Sequence, residues 1–176
     1  MEKLLNSEFP YADNILEGKT ALVCGASKGI GRATALMLAR AGAQVIICAR
    51  SNDELEILSK EMHGDNHLTL NLDLENISLL ETKINDLIKQ QPIHILVNNS
   101  GGPPGGPLLS NTVEDFEGPF KRHLYAAHTI TRILTPIMEK EGYGRIVNII
   151  STSVREPIDN IGLSNTLRGA MGSWSK

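Results

Sequence analysis

The sequence contains little cysteine and no long apolar run. Its 176 residues include two cysteines, Cys24 and Cys48, each within an apolar stretch, where a free thiol behaves as a small hydrophobic side chain. We therefore expect buried, inert thiols. No apolar run approaches the roughly 20 residues of a membrane span, and residues 1–19 lack the apolar core of about 7 to 15 residues that a secretory signal needs. These absences favour the cytoplasm and predict no membrane partner.

The sequence also lacks a large excess of positive or negative side chains. The sequence has 17 Lys and Arg against 20 Asp and Glu, which gives a net charge of −3 at pH 7. A surface that binds nucleic acid needs an excess of positive charge to hold the phosphates, so we expect no nucleic-acid partner. The length suits one domain, since domains commonly run to about 100 to 200 residues. We predict a single domain over residues 1–176.

Short runs of β-branched and aliphatic residues alternate with helical patterns along the chain. The runs predicted as strands cover residues 20–24, 44–48, 67–70, 93–98 and 144–150. Helices are predicted at 30–41, 53–62, 77–89 and from Thr112 onward. Each parallel connection requires a crossover of about a dozen residues, so this alternation indicates a parallel sheet covered by helices on both faces. The predicted fold is a doubly wound α/β sheet.

Proline and glycine mark two further features of this pattern. Thr112 and Asp115 have the spacing of a capping box, with Asp in place of the usual Glu or Gln. Pro119 and Pro136 should kink or interrupt the helix that follows, because proline removes a backbone donor. The Gly- and Pro-rich segment 101–107 directly follows the fourth predicted strand, and we expect it to form a loop that lines a cleft.

A glycine-rich segment connects the first predicted strand to its helix. It reads Gly25-Ala26-Ser27-Lys28-Gly29-Ile30-Gly31, and backbone N–H groups at such a junction can hold an anion. Gly25 permits a tight turn, Gly29 lets the backbone approach a pyrophosphate, and Gly31 lets helix and strand pack closely. The segment predicts a dinucleotide-binding domain. The alternative is a glycine-rich turn that binds no ligand.

The end of the second predicted strand indicates which dinucleotide is preferred. An acidic residue there usually recognises an unmodified ribose, but the strand ends in Ala49 and Arg50. Arg50 can make a bidentate contact to a 2′-phosphate, and Lys28 adds a second cation within the glycine loop. We therefore predict NADP(H). In the alternative interpretation, both cations are solvated surface charges.

Four segments resemble the short-chain dehydrogenase/reductase family. The glycine loop is similar to its TGxxxGxG motif with Cys24 in place of Thr, and Asp73-Leu74 resembles its adenine-contacting pair. Residues 96–101 resemble its LVNNAG segment with Ser100 in place of Ala, and residues 144–151 resemble the strand that ends in its catalytic serine. The resemblance, strongest to 3-oxoacyl-carrier-protein reductase-like members, runs from about Leu16 to the last residue.

The resemblance implies further properties of the chain. Its cofactor-binding positions correspond to Asp73, Leu74, Asn98, Ser100 and Gly101 in addition to the glycine loop. The family usually has seven strands, of which five are predicted here, so the domain is expected to be incomplete at its C-terminal end. A complete form is expected to be a homo-oligomer, either a dimer or a tetramer. No metal site is implied.

The positions of the family's catalytic residues are largely changed. Ser151 matches its serine, which orients the substrate carbonyl. Ser164 and Arg168 stand where the family has Tyr and Lys, and His123 stands at its Asn position. Arg168 can still hold ribose hydroxyls, but an aliphatic hydroxyl is a far weaker acid than a phenol with its pKa near 10. His123, which ordinarily titrates near about 6.5, is a candidate substitute acid. The alternative is a helix histidine bonded to a carbonyl or water.

These observations leave two interpretations of function. The first is an NADP(H)-dependent oxidoreductase that acts on a small-molecule carbonyl or secondary alcohol, with Ser151, His123, Ser164 and Arg168 as candidate catalytic residues. The second is a dinucleotide-binding module whose chemistry is impaired by the replaced Tyr and Lys. The sequence does not identify the substrate.

Overall fold

A parallel sheet forms the middle of the fold. The computed structural model describes residue 12 and residues 14–176, and within them five strands pair in the order β3-β2-β1-β4-β5, all parallel. The strands are β1 Thr20–Cys24, β2 Gln44–Ala49, β3 Leu68–Asn71, β4 Ile95–Asn98 and β5 Arg145–Asn148. Each predicted strand is present, with ends that differ from the prediction by at most two residues. The doubly wound α/β fold is confirmed.

Helices connect the strands and cover both faces of the sheet. Their bounds are α1 Gly29–Arg40, α2 Asn52–Glu61, α3 Ile77–Gln90, α4 Glu114–Phe120, α5 Ala126–Lys140 and α6 Gly162–Trp174. A π-type turn over Lys121–Tyr125 joins α4 to α5, and short 3₁₀ turns lie at Leu108–Ser110 and Thr152–Val154. The three predicted helices at 30–41, 53–62 and 77–89 correspond to α1, α2 and α3, with ends shifted by one residue at most.

Alternation along the central strands divides the core into two layers. Ala21 and Val23 pack with α1 and α2 on one face of the sheet, while Leu22 packs with α3 and α5 on the other. Successive side chains of a strand point to opposite faces, and β1 and β2 are buried on both. Apolar residues are therefore needed at nearly every position of these strands, which explains their near-continuous hydrophobic sequence.

The predicted long helix is divided into segments. Asp115 Oδ2 accepts a hydrogen bond from the Thr112 N–H at 2.8 Å, which is the reciprocal half of a capping box, although the helix begins two residues later. Pro119 lies near the end of α4, and the π-type turn follows directly. Pro136 does not interrupt α5, which continues through it. Burial of Leu134 and Met138 on either side holds the helix together across the proline.

The two cysteines lie side by side beneath the glycine loop. Cys24 and Cys48 are register partners on β1 and β2, and their exposures are only 2% and 1%. A hydrogen bond with the Cys24 thiol, together with burial, raises the pKa of Cys48 well above its usual range. The prediction of buried free thiols is confirmed. Cys48 is therefore protonated at neutral pH, and both side chains form part of the core.

The strand order creates a crevice at one end of the sheet. The order reverses between β1 and β4, since the connection after β1 leads to β2 on one side and the chain after β4 leads to β5 on the other. Loops that leave the carboxyl ends of these two strands diverge, and ligands of doubly wound sheets bind in the gap between them. The glycine loop after β1 and the segment after β4 form the walls of this gap.

Candidate functional site

The glycine loop has the conformation that its three glycines require. Gly25 and Gly29 have φ angles of +59° and +55°, which side chains rarely adopt. A Cβ on Gly31 would lie 2.2 Å from the Gly25 carbonyl oxygen, whereas a Cβ on Gly29 would meet nothing within 4 Å. Gly31 therefore lets α1 pack closely against the loop, and the backbone at Gly29 is open to an approaching group.

A cleft of about 700 Å³ opens above this loop. Ten of the 13 residues predicted to bind cofactor line it. These ten are Gly25, Ser27, Lys28, Gly29, Ile30, Arg50, Asp73, Leu74, Ser100 and Gly101. Gly31 lies beneath the loop rather than on the wall, and Arg168 and Asn98 do not line the cleft. The structure thus brings together segments that lie between 20 and 76 residues apart in sequence, at the reversal point of the sheet.

Asn98, which was predicted to bind the cofactor, does not line the cleft, whereas its neighbour Asn99 does. Asn98 is the last residue of β4, where its buried side chain donates to Asn148 Oδ1 at 2.8 Å. Asn99 Nδ2 donates to the carbonyl oxygens of Cys24 at 3.2 Å and Gly25 at 3.1 Å. Asn99 therefore ties the end of β4 to the glycine loop, a contact that the sequence analysis did not predict.

Each basic side chain on the cleft wall has a carboxylate nearby. Lys28 Nζ lies 3.0 Å from Glu54 Oε1, and Arg50 Nη1 lies 4.0 Å from Asp73 Oδ2. Arg122, which sequence reasoning missed, lines the cleft and places Nη1 3.0 Å from Glu75 Oε1. Nothing in the sequence spacing signals Arg122, because its direction depends on the π-type turn. Each of these cations is thus close to a carboxylate.

His123 lies behind the cleft wall and does not line it. The side chain is 5% exposed, and Nε2 lies 3.0 Å from the Gly101 carbonyl oxygen and 3.2 Å from Ser100 Oγ. A carbonyl only accepts, so Nε2 carries the proton and donates to Gly101. This contact matches the alternative of a helix histidine bonded to a carbonyl.

The expectation that His123 titrates near neutrality is wrong. Burial, assisted by the positive charges of Arg168 and Arg122, lowers the pKa of His123 to about 4. The imidazole is consequently neutral at pH 7. A neutral imidazole is a weak proton donor, so the proposed substitute acid loses the physical property that motivated it.

The lowered pKa of His123 predicts a loss of stability in weak acid. An unfolded histidine takes up its proton near about pH 6.5, whereas folded His123 does so at about 4. The unfolded state binds more protons between these values, so this contribution is complete above about pH 6.5 and is lost as the pH falls toward 4. Between pH 7 and 4.5 it should remove about 2 kcal/mol from the free energy of unfolding.

Urea unfolding of the wild type and of His123→Asn at both pH values checks this prediction. The carboxylates titrate in both proteins and cancel in the comparison. The variant should therefore lose about 2 kcal/mol less than the wild type on acidification. Equal losses in the two proteins would contradict a buried neutral imidazole.

The remaining candidate catalytic residues follow β5 in the chain. Ser151 Oγ accepts a hydrogen bond from the Ser153 N–H at 3.1 Å. Arg168, half-buried on α6, donates from Nη1 to the carbonyl oxygen of Ile149 at 2.8 Å, and burial lowers the pKa of its guanidinium. Ser164 is half-buried one helical turn before Arg168 on α6. None of these three lines the 700 Å³ cleft.

Only part of the segment 101–107 lines the cleft. Gly101 and Gly102 do so, but Gly106 turns away and donates its N–H to the Asn160 carbonyl oxygen at 2.6 Å. The loop therefore connects the cleft to the segment that precedes α6.

A family model described as short chain dehydrogenase matches residues 19–163. The chain belongs to the short-chain dehydrogenase family. The match covers the sheet, the glycine loop and the start of α6, and it confirms the family that the sequence motifs predicted. None of the helices described here combines the length and the apolar content that a membrane span requires.

Known members of this family are similar over most of the chain. The NADPH-dependent pterin aldehyde reductase of Arabidopsis thaliana is 34% identical over 143 residues, which is 80% of this chain and 59% of that protein. A 3-oxoacyl-acyl-carrier-protein reductase of Thermotoga maritima is 34% identical over 141 residues, covering 77% of this chain and 56% of the relative. The chain thus spans less than two thirds of the length of either relative.

A solved short-chain enzyme has a closely similar fold. The crystal structure of L-sorbose reductase from Gluconobacter frateurii, complexed with NADPH and L-sorbose, superposes with a TM-score of 0.87 at 25% sequence identity. The superposition covers 93% of this chain and 64% of the reductase.

Proposed function

We propose that this chain binds NADP(H) and acts as an oxidoreductase on a small-molecule carbonyl or secondary alcohol. The observation that carries the proposal is the cleft at the reversal point of the sheet, with an open backbone at Gly29 and a cation, Arg50, directly after β2. The pterin aldehyde reductase is NADPH-dependent by name, and the sorbose reductase structure contains NADPH. Both similarities support the choice of cofactor.

The residues on the cleft wall fit a phosphorylated dinucleotide. The N–H groups at Gly29 and the start of α1 would hold the pyrophosphate, since a helix N-terminus favours an anion. Arg50 and Lys28 would hold the 2′-phosphate, and Asp73 and Leu74 would face the adenine. When bound, NADP(H) supplies or accepts the hydride at its nicotinamide ring.

In this proposal, Ser151 would orient the substrate oxygen. Its Oγ accepts the Ser153 N–H, which fixes the oxygen and leaves the hydroxyl proton free to donate. Donation to a carbonyl oxygen would stabilise the negative charge that develops there during reduction. Ser164, an aliphatic alcohol, supplies a proton poorly, so turnover is expected to be slow.

A second candidate function is dinucleotide binding with impaired chemistry. It is favoured by the neutral His123 and by the absence of a phenol at residue 164. NADPH absorbance with a panel of keto-esters and quinones separates the two functions. Turnover that disappears in Ser151→Ala supports the oxidoreductase, whereas nucleotide binding without turnover supports the binding module.

Replacing Arg50 with methionine should remove most of the preference for NADPH. A hydrogen bond to a charged group contributes about 1.5–3 kcal/mol, so affinity for NADPH should fall roughly tenfold or more. Affinity for NADH should change by less than about twofold, because no phosphate faces the lost guanidinium. Titration calorimetry with both nucleotides measures the two affinities directly.

Arg132→Met is the matched control for Arg50→Met. The Arg132 side chain is 59% exposed, close to the 67% of Arg50, but it pairs with Glu81 away from the cleft. It should leave both affinities unchanged. Equal wild-type affinities for NADPH and NADH would refute the role of Arg50, and failure of both nucleotides to bind would refute the proposed function.

A further inference from the structure

A carboxylate faces the cations that the 2′-phosphate would need. Glu54 lies in the first turn of α2 and lines the same cleft as Lys28 and Arg50. Its side chain is 34% exposed, and it holds Lys28 at 3.0 Å. Arg50 is also near a carboxylate, that of Asp73. Lys28 therefore already forms an ion pair, which a phosphate would have to replace.

The neighbouring acid on the same helix does not share this position. Asp53 also lies in the first turn of α2. The positive end of the helix dipole stabilises the carboxylates of both Asp53 and Glu54 at this turn. Asp53 is exposed and does not line the cleft. The helix dipole thus explains why an acid is acceptable at this turn, but it does not explain why one of the two points at the cleft.

We propose that Glu54 is a specificity-determining residue that limits the preference of the cleft for the phosphorylated dinucleotide. This inference rests on the proposed function. A 2′-phosphate carries close to two negative charges at pH 7, and it must displace Glu54 from Lys28 and remain near its carboxylate. An unphosphorylated ribose need not displace Glu54 and is not repelled by its carboxylate.

The size of the effect follows from partial exposure. Ion pairs that solvent reaches contribute little to binding, and the doubly charged phosphate increases the repulsion that Glu54 exerts. Glu54→Gln keeps the shape of the side chain and removes its charge. It should therefore strengthen NADPH binding by about three- to tenfold and leave NADH binding within about twofold.

Titration calorimetry of the wild type, Glu54→Gln and Asp53→Asn with NADPH and with NADH tests the proposal. Asp53→Asn removes the same charge from the same helical turn outside the cleft, so it should leave both affinities within about twofold. Repeating the titrations at high salt should shrink the gain in Glu54→Gln, because exposed charges are screened. Thermal melting of each variant verifies that α2 remains folded.

The outcomes separate this inference from the proposed function. If the wild type binds neither nucleotide, the proposed function fails. If it binds them and Glu54→Gln leaves NADPH affinity unchanged, only the inference fails. A weaker NADH affinity with unaltered NADPH affinity would also overturn it, since Glu54 would then bind ribose hydroxyls. An equal gain in Asp53→Asn would attribute the effect to general charge and refute a specific role.

Discussion

Gly31→Ala is expected to abolish nucleotide binding and to lower the free energy of unfolding by about 3 kcal/mol. The added methyl group would lie 2.2 Å from the Gly25 oxygen and 2.7 Å from Asn99 Nδ2. The first atom belongs to the backbone, so relief requires α1 to move away from the glycine loop. That movement displaces the N–H groups that would hold the pyrophosphate. Urea unfolding and titration calorimetry with NADPH measure the two effects.

Gly169→Ala is the matched control for Gly31→Ala. Gly169 lies within α6, and a Cβ there meets nothing within 4 Å. Alanine favours a helix interior over glycine by about 0.5–1 kcal/mol, so the variant should be slightly more stable and bind normally. A Gly31→Ala protein with wild-type stability and affinity would show that the close packing of α1 on the loop is not required.

The second large effect is a gain of turnover when Ser164→Tyr is combined with Arg168→Lys. A phenol has a pKa near about 10, within reach of a neighbouring cation that lowers it, whereas an aliphatic hydroxyl is not. Residues 164 and 168 are one helical turn apart on α6, which places an ammonium beside the phenol. A positioned proton donor contributes about 10²–10⁴-fold. NADPH-dependent reduction of the best keto-ester or quinone should rise by that factor.

Two further variants make this gain interpretable. Ser164→Phe with Arg168→Lys adds the ring without the hydroxyl and should show no gain. Ser151→Ala in the gain-of-turnover background should remove most of the new activity, because Ser151 still has to orient the oxygen. A doubly substituted protein that binds NADPH and reduces nothing faster than the wild type would show that the site lacks a productive geometry.

The glycine loop and the sheet could be predicted because their signals are local. Gly25, Gly29 and Gly31 each meet a steric requirement that another residue would violate, and their spacing is fixed by one turn between a strand and a helix. Continuous apolar runs such as β1 and β2 similarly reflect burial on both faces. These features led to the correct fold and to most of the cleft wall.

The differences from the prediction concern the directions of side chains, which change when a residue is shifted by one position along the chain. Asn98 and Asn99 are adjacent, and because side chains alternate at a strand end, one binds Asn148 while the other reaches the glycine loop. The π-type turn similarly leaves Arg122 on the cleft wall and His123 behind it. These side-chain directions depend on tertiary packing, which cannot be read from a sequence pattern.

The pKa of His123 was beyond sequence reasoning for the same reason. It is lowered by burial and by Arg168, a residue 45 positions later in the chain. The ion pair between Lys28 and Glu54 also joins separate elements, the glycine loop and α2. Charges that meet only in the folded protein decide how the cleft responds to pH and to phosphate.

The adjacent sulfhydryls of Cys24 and Cys48 can be used to measure local opening of the sheet beneath the glycine loop. An alkylating reagent can reach them only when β1 and β2 separate from their helices, because both are buried in the native state. The rate of alkylation then reports the free energy of that local opening. A dinucleotide that ties the glycine loop to α1 should slow the reaction in proportion to its occupancy. The protein thus carries its own probe of ligand-linked rigidity, without an added label.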